Sequence, residues 1–86
     1  MTKTTSTKTQ ILDVIGLVCP LPVLKAEKAM RRLPADGELV ILTNDPLAAV
    51  DIPHMCRARG YDFVDATREA DTFVFRIRHA RAASKG

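Results

Sequence analysis

Residues 11–33 read ILDVIGLVCPLPVLKAEKAMRRL, and this stretch decides the fold. It opens on a short run rich in β-branched residues, residues 11–15, closed by Gly16, which predicts a strand. From Pro20 to Leu33 apolar residues recur at 23, 26, 30 and 33, the stripe of an amphipathic helix. The opposite face of that helix carries Lys25, Glu27, Lys28, Arg31 and Arg32. Pro34-Ala35-Asp36-Gly37 ends the helix and turns the chain. The remaining elements follow outward from this β-α pair. Residues 38–44 contain Leu39-Val40-Ile41-Leu42, a continuous apolar run suited to an interior strand. Asp45-Pro46 then supplies a capping side chain followed by a proline at the first helical position, and Gly60 supplies a left-handed stop. Pro53 falls inside this second helix and is expected to kink it or break it in two. Residues 61–67 and 72–79 read as two strands joined by a turn at 68–71. In the last strand Phe73, Phe75 and Ile77 share one face, and Arg76 and Arg78 share the other.

The order β-α-β-α-β-β predicts a two-layer α/β (α+β) sandwich: a four-stranded mixed sheet with two helices on one face. The right-handed crossover rule makes the first two strands parallel. With 86 residues the chain holds one domain, expected at 11–80, between a polar arm at 1–10 and a tail at 81–86. Its hydrophobic content of 47% and charged content of 27% fit a globular protein and exclude a disordered one. The longest uncharged stretch, residues 14–24, falls short of a bilayer span and is interrupted by Gly16, Pro20 and Pro22. The first ten residues hold no apolar run, so a secretory signal is not expected. Two cysteines without such a signal fit a reducing, cytoplasmic setting. The net charge is +3, but Lys3, Lys8, Arg81 and Lys85 in the two ends account for more than all of it. The segment between them is slightly acidic, which argues against direct nucleic-acid binding.

Cys19 is the residue on which function turns. It precedes Pro20-Leu21-Pro22 at the start of the first helix, where backbone amides and the dipole favour an anion. Such positions lower a cysteine pKa from ~8.5 into roughly the 3.5–7.5 range, and the same field favours a persulfide anion. The competing reading is a small apolar residue filling a loop, and position alone leaves the two evenly matched. Cys56 lies at i+4 from Ile52 on the apolar stripe of the second helix and reads as a buried, inert thiol; its other reading is a resolving partner for Cys19. Cys19, Cys56, His54 and His79 offer no close ligand pair with zinc-site spacing, so no metal is expected. No hydrolase cluster and no phosphate loop appear. Lys25, Lys28, Arg31 and Arg32 form a solvated face that could also dock an acidic partner or RNA.

Gly16-Leu17-Val18-Cys19-Pro20-Leu21-Pro22 resembles the Cys-Pro-x-Pro signature of the TusA/SirA-like sulfur carrier proteins. Asn44-Asp45-Pro46 and Asp51-Ile52-Pro53-His54-Met55-Cys56 resemble that family's second segment, at the right separation. The similarity spans about residues 11–79. It implies a small cytoplasmic protein that takes a sulfane sulfur on its motif cysteine, here Cys19, as a persulfide. The implied donor is a cysteine desulfurase, and the implied acceptor is a further protein serving tRNA thiolation, molybdenum-cofactor assembly or sulfur oxidation. Gly16, Pro20 and Pro22 would support the motif, and no cofactor is implied. The tRNA-thiolation members carry a basic residue where Val18 stands and an acidic one where Leu21 stands; here both flanks are apolar. The second functional class to weigh is a non-enzymatic RNA- or protein-binding regulatory module using the ends of the chain with Arg76 and Arg78.

Overall fold

A computed structural model describes residues 9–18 and 20–79. Its elements run β1 (Thr9–Asp13), α1 (Leu21–Arg32), β2 (Glu38–Thr43), α2 (Pro46–Arg59), β3 (Asp62–Glu69) and β4 (Thr72–Arg78). The strands form one sheet in the order β1-β2-β4-β3. β1 runs parallel to β2, and β4 is antiparallel to both of its neighbours. The four-stranded mixed sheet with two helices is the architecture expected from the sequence.

Several boundaries differ from the expectation. β1 begins at Thr9 rather than at residue 11, so Thr9 and Gln10 belong to the sheet and not to an arm. It ends at Asp13 because that side chain accepts the Ile15 N–H at 3.0 Å and draws the backbone into a turn. Leu17 N–H to Val14 C=O closes the turn, with Gly16 at φ +92°. A side chain at that φ is strained even though no atom lies within 4 Å of a built Cβ. Gly16→Ala is therefore expected to cost about 1 kcal/mol in denaturant unfolding, through backbone strain and not through a clash. Pro53 does not break α2, which runs unbroken over fourteen residues. Ile52, Met55 and Cys56, all buried, seat the helix on the sheet on both sides of the lost backbone donor. The β3–β4 turn is tighter than expected: Glu69 pairs with Thr72, and Ala70 takes a left-handed φ of 55°.

Alternation places Leu39, Ile41 and Thr43 of β2 and Phe73, Phe75 and Ile77 of β4 on the same face. Ala26, Ala29, Met30 and Leu33 from the first helical segment, and Ala48, Ile52, Met55 and Cys56 from the second, complete the buried cluster with Leu39, Ile41, Phe75 and Ile77. The opposite sheet face holds Glu38, Val40, Leu42, Val74, Arg76 and Arg78, all partly exposed. There Arg76 pairs with Glu38 at 3.5 Å and Asp65 at 3.6 Å, and Arg78 pairs with Asp62 at 3.7 Å. No helix among the described residues is long and apolar enough to cross a membrane.

Candidate functional site

Because β1 and β2 are parallel neighbours, their carboxyl ends lie at the same end of the sheet, and α1 and α2 both start there. This is where ligand and reaction sites form in α/β sheets. The Gly16 N–H donates to Asn44 Oδ1 at 3.0 Å, tying the loop before α1 to the loop before α2. Asp45 caps α2 by accepting the Leu47 N–H at 3.2 Å, and the Asp45 N–H in turn donates to Thr43 Oγ1 at 3.2 Å. The motif-bearing loop thus leans on a rigid second loop through one long-range bond.

Cys19 itself lies outside the described residues; its chain neighbours Val18 and Pro20 are both exposed. Pro20 is the N-cap of α1, and Pro22 sits buried in its first turn. The two prolines supply no N–H, and Leu21 N–H is taken by Val18 C=O at 2.9 Å. Leu24 N–H is taken by Pro20 C=O at 3.0 Å, so three of the first four positions of the helix offer no free amide. The prolines therefore stiffen the start of α1 while leaving few backbone donors for an anion. Any preference for an anion at this helix start then rests on the helix dipole rather than on a full cradle of amides.

Ile15, Val18 and Leu21 are exposed around the motif, at 44%, 66% and 44%. Leu47 and Val50, in the first two turns of α2, are exposed at 64% and 62%. Exposed apolar side chains gathered at one end of a fold mark a contact surface. Leu47 and Val50 were not apparent from the sequence. Their signal is that they fall off the stripe formed by Ala48, Ile52, Met55 and Cys56.

The basic face of α1 divides in the structure. Lys25, Lys28 and Arg32 line a groove of about 170 Å³ with Gln10, Leu12 and Ala29, on the flank toward β1. Arg31 lies instead on the outer surface with Leu21, Leu24 and Glu27, which Lys25 and Lys28 also border. Glu27 is turned to the other flank, where Arg59 of α2 meets it at 3.2 Å.

Cys56 is 1% exposed in the core. Burial, and secondly the Asp62 carboxylate, push its thiol from the ordinary 9 up to about 11. The unfolded chain ionises this thiol from about pH 9 while the folded chain holds it neutral to about 11. The stability it contributes is thus fully present below pH 9 and lost between 9 and 11. Relative to Cys56→Ala, the wild type is expected to lose up to about 2 kcal/mol across that window, measured by denaturant unfolding at stepped pH. Among the described residues no group of three or more His, Cys, Asp or Glu side chains is placed to hold a metal ion.

The fold and this loop define a class: two-layer α/β domains that carry a Cys-Pro-x-Pro segment at the start of their first helix. Residues 10–79 match the family described as Sulfurtransferase TusA. The chain is 40% identical over 67 residues to the sulfur carrier protein TusA of Pseudomonas syringae pv. syringae, covering 78% of this chain and 80% of that one. It is 38% identical over 68 residues to the sulfur carrier protein TusA of Pseudomonas putida F1, covering 79% and 85%. The crystal structure of a SirA-like protein from Desulfitobacterium hafniense superposes with a TM-score of 0.74 at 24% identity, covering 84% of this chain and 99% of that one. The chain belongs to the TusA sulfurtransferase family, and with it to sulfur-relay chemistry.

Proposed function

We propose that this chain accepts a sulfane sulfur on Cys19 as a persulfide, from a donor such as a cysteine desulfurase, and passes it to an acceptor protein. The Cys19 thiolate attacks the outer sulfur of the donor persulfide. The donor's S–S bond breaks, its own thiolate leaves, and Cys19 becomes a persulfide with no net oxidation. An acceptor thiolate then attacks that outer sulfur and restores the Cys19 thiolate. Pro20 and Pro22 hold the start of α1 stiff, and the bond from Gly16 to Asn44 anchors the loop.

The observation that carries this reading is the contrast between the two cysteines. Cys56 is buried, with its thiol held neutral well above neutral pH, so it is a poor nucleophile. Val18 and Pro20, the chain neighbours of Cys19, are both exposed, in the loop that leads from β1 into α1. The apolar side chains of Ile15, Val18, Leu21, Leu47 and Val50 call for donor and acceptor surfaces that are themselves apolar around the reacting sulfur. Lys25, Lys28, Arg31 and Arg32 would add attraction to acidic partners. Of the residues that the RNA-binding alternative would use, Arg76 and Arg78 pair with Glu38, Asp65 and Asp62, and the two ends of the chain lie outside the described residues.

Incubation of the reduced protein with a cysteine desulfurase and cysteine, followed by intact-mass analysis, tests the proposal. A gain of one sulfur atom is expected. No gain with the desulfurase, and none with inorganic polysulfide, would overturn it.

A further inference from the structure

The two edges of the sheet are not alike. β3 carries Asp62, Asp65, Arg68 and Glu69, and its register shifts between Phe63 and Asp65. Charges and a bulge are the usual protection against unwanted strand pairing. β1, the other edge, has no bulge and a single charge: it is Thr9-Gln10-Ile11-Leu12-Asp13, in unbroken register with β2, with the charge, Asp13, at its end. Among the described residues no strand lies on its outer side.

The Val14 N–H donates to Leu42 C=O, so the even-numbered residues of this strand direct their backbone groups toward β2. By alternation Thr9, Ile11 and Asp13 direct theirs outward. The side chains beside this edge differ between the two faces. On the helix side the groove of Gln10, Leu12 and Ala29 is lined by Lys25, Lys28 and Arg32, and no carboxylate among the described residues pairs with these three. On the open side Ile11 is 65% exposed.

We propose that β1 is a docking edge for an extended protein segment that adds as a fifth strand. Carboxylates at alternate positions of that segment enter the Lys25–Lys28–Arg32 groove, and β-branched apolar residues lie beside Ile11. Backbone bonds to Ile11 and Asp13 supply affinity, and the alternation of charge supplies selectivity. A second copy of this chain does not fit the edge. Antiparallel pairing of two β1 strands, with both helix layers on the same side, sets one row of Lys25, Lys28 and Arg32 against another. The surface shares Lys25, Lys28 and Arg32 with the attraction to acidic partners proposed above, but its backbone edge lies apart from the motif loop, and its test does not depend on Cys19.

The probe is a blocked Glu-Val-Glu-Thr-Glu-Val-Glu peptide, titrated into the full chain and followed by amide exchange and chemical shift. At about nine-tenths occupancy the Ile11 and Asp13 amides are expected to exchange about tenfold more slowly, while those of Gln10 and Leu12 stay unchanged. The triple change Lys25→Glu, Lys28→Glu, Arg32→Glu is expected to weaken binding about tenfold or more. Ile11→Pro removes an outward donor that β2 does not use, so it is expected to abolish binding while amide protection in the β2–β4 ladder persists. Replacing glutamate by lysine in the peptide is expected to do the same. Equal binding by a peptide methylated at alternate backbone nitrogens, binding without protection at Ile11 and Asp13, or no binding at millimolar peptide would each overturn the proposal. So would a dimer protected along β1 in the absence of peptide.

Discussion

Sulfur uptake and sulfur delivery are expected to vanish together in Cys19→Ser, leaving only spontaneous release by the donor. A hydroxyl oxygen cannot form the S–S bond that holds the travelling atom, so the substitution removes the carrier function rather than slowing it. Cys56 cannot stand in, because its sulfur is buried at 1% exposure and its thiol stays neutral until about pH 11. Radiolabelled sulfur, followed from cysteine through a desulfurase to an acceptor thiol, reads both steps in one assay. Transfer by Cys19→Ser at a rate near the wild type would show that the motif cysteine is not the carrier.

The second large effect concerns stability. Ile41 is 0% exposed in the middle of the sheet, paired with Leu12 on β1 and Phe75 on β4. It lies under the helix layer, where removing three carbons leaves a space that the rigid sheet cannot close. Ile41→Ala is expected to cost about 3 kcal/mol, a large share of the roughly 5–15 kcal/mol that holds a small domain folded. Urea unfolding should show a lower midpoint with an unchanged slope. Ile11→Ala, on the same sheet but 65% exposed, should change stability by no more than about 0.5 kcal/mol. Equal losses at the two positions would contradict the placement of the core on one sheet face.

Much of this fold was legible in the sequence because its punctuation is local. Gly16, Asp45-Pro46 and Gly60 each act within a turn of where they stand, and the alternation of the last strand sorts Phe75 and Ile77 from Arg76 and Arg78. What escaped depends on side-chain bonds and tertiary packing. Asp13 ends β1 through its own side chain, which competes with the ladder in a way that hydrophobic patterning does not register. Pro53 reads as a break, but burial of Ile52, Met55 and Cys56 on both sides holds the helix in one piece. The Cys-Pro-x-Pro segment stood out at once, whereas the bond from Gly16 to Asn44, which joins its loop to the next, links residues 28 apart. Leu47 and Val50 carry no motif, and the seating of α2 on Ala48, Ile52, Met55 and Cys56 is what turns them outward. The basic face of α1 read as one surface. In the structure Arg59 draws Glu27 toward α2, and Lys25, Lys28 and Arg32 flank the edge of β1.

The most direct measurement locates the sulfur. The wild-type protein, loaded by a desulfurase and alkylated without reduction, would be digested and its two cysteine peptides analysed by mass. The extra sulfur is expected on the peptide that contains Cys19, with Cys56 recovered unmodified, and loading of Cys56→Ser is expected to equal that of the wild type. Sulfur recovered on the Cys56 peptide, or loading lost in Cys56→Ser with its fold intact, would contradict the assignment of Cys19 as the carrier.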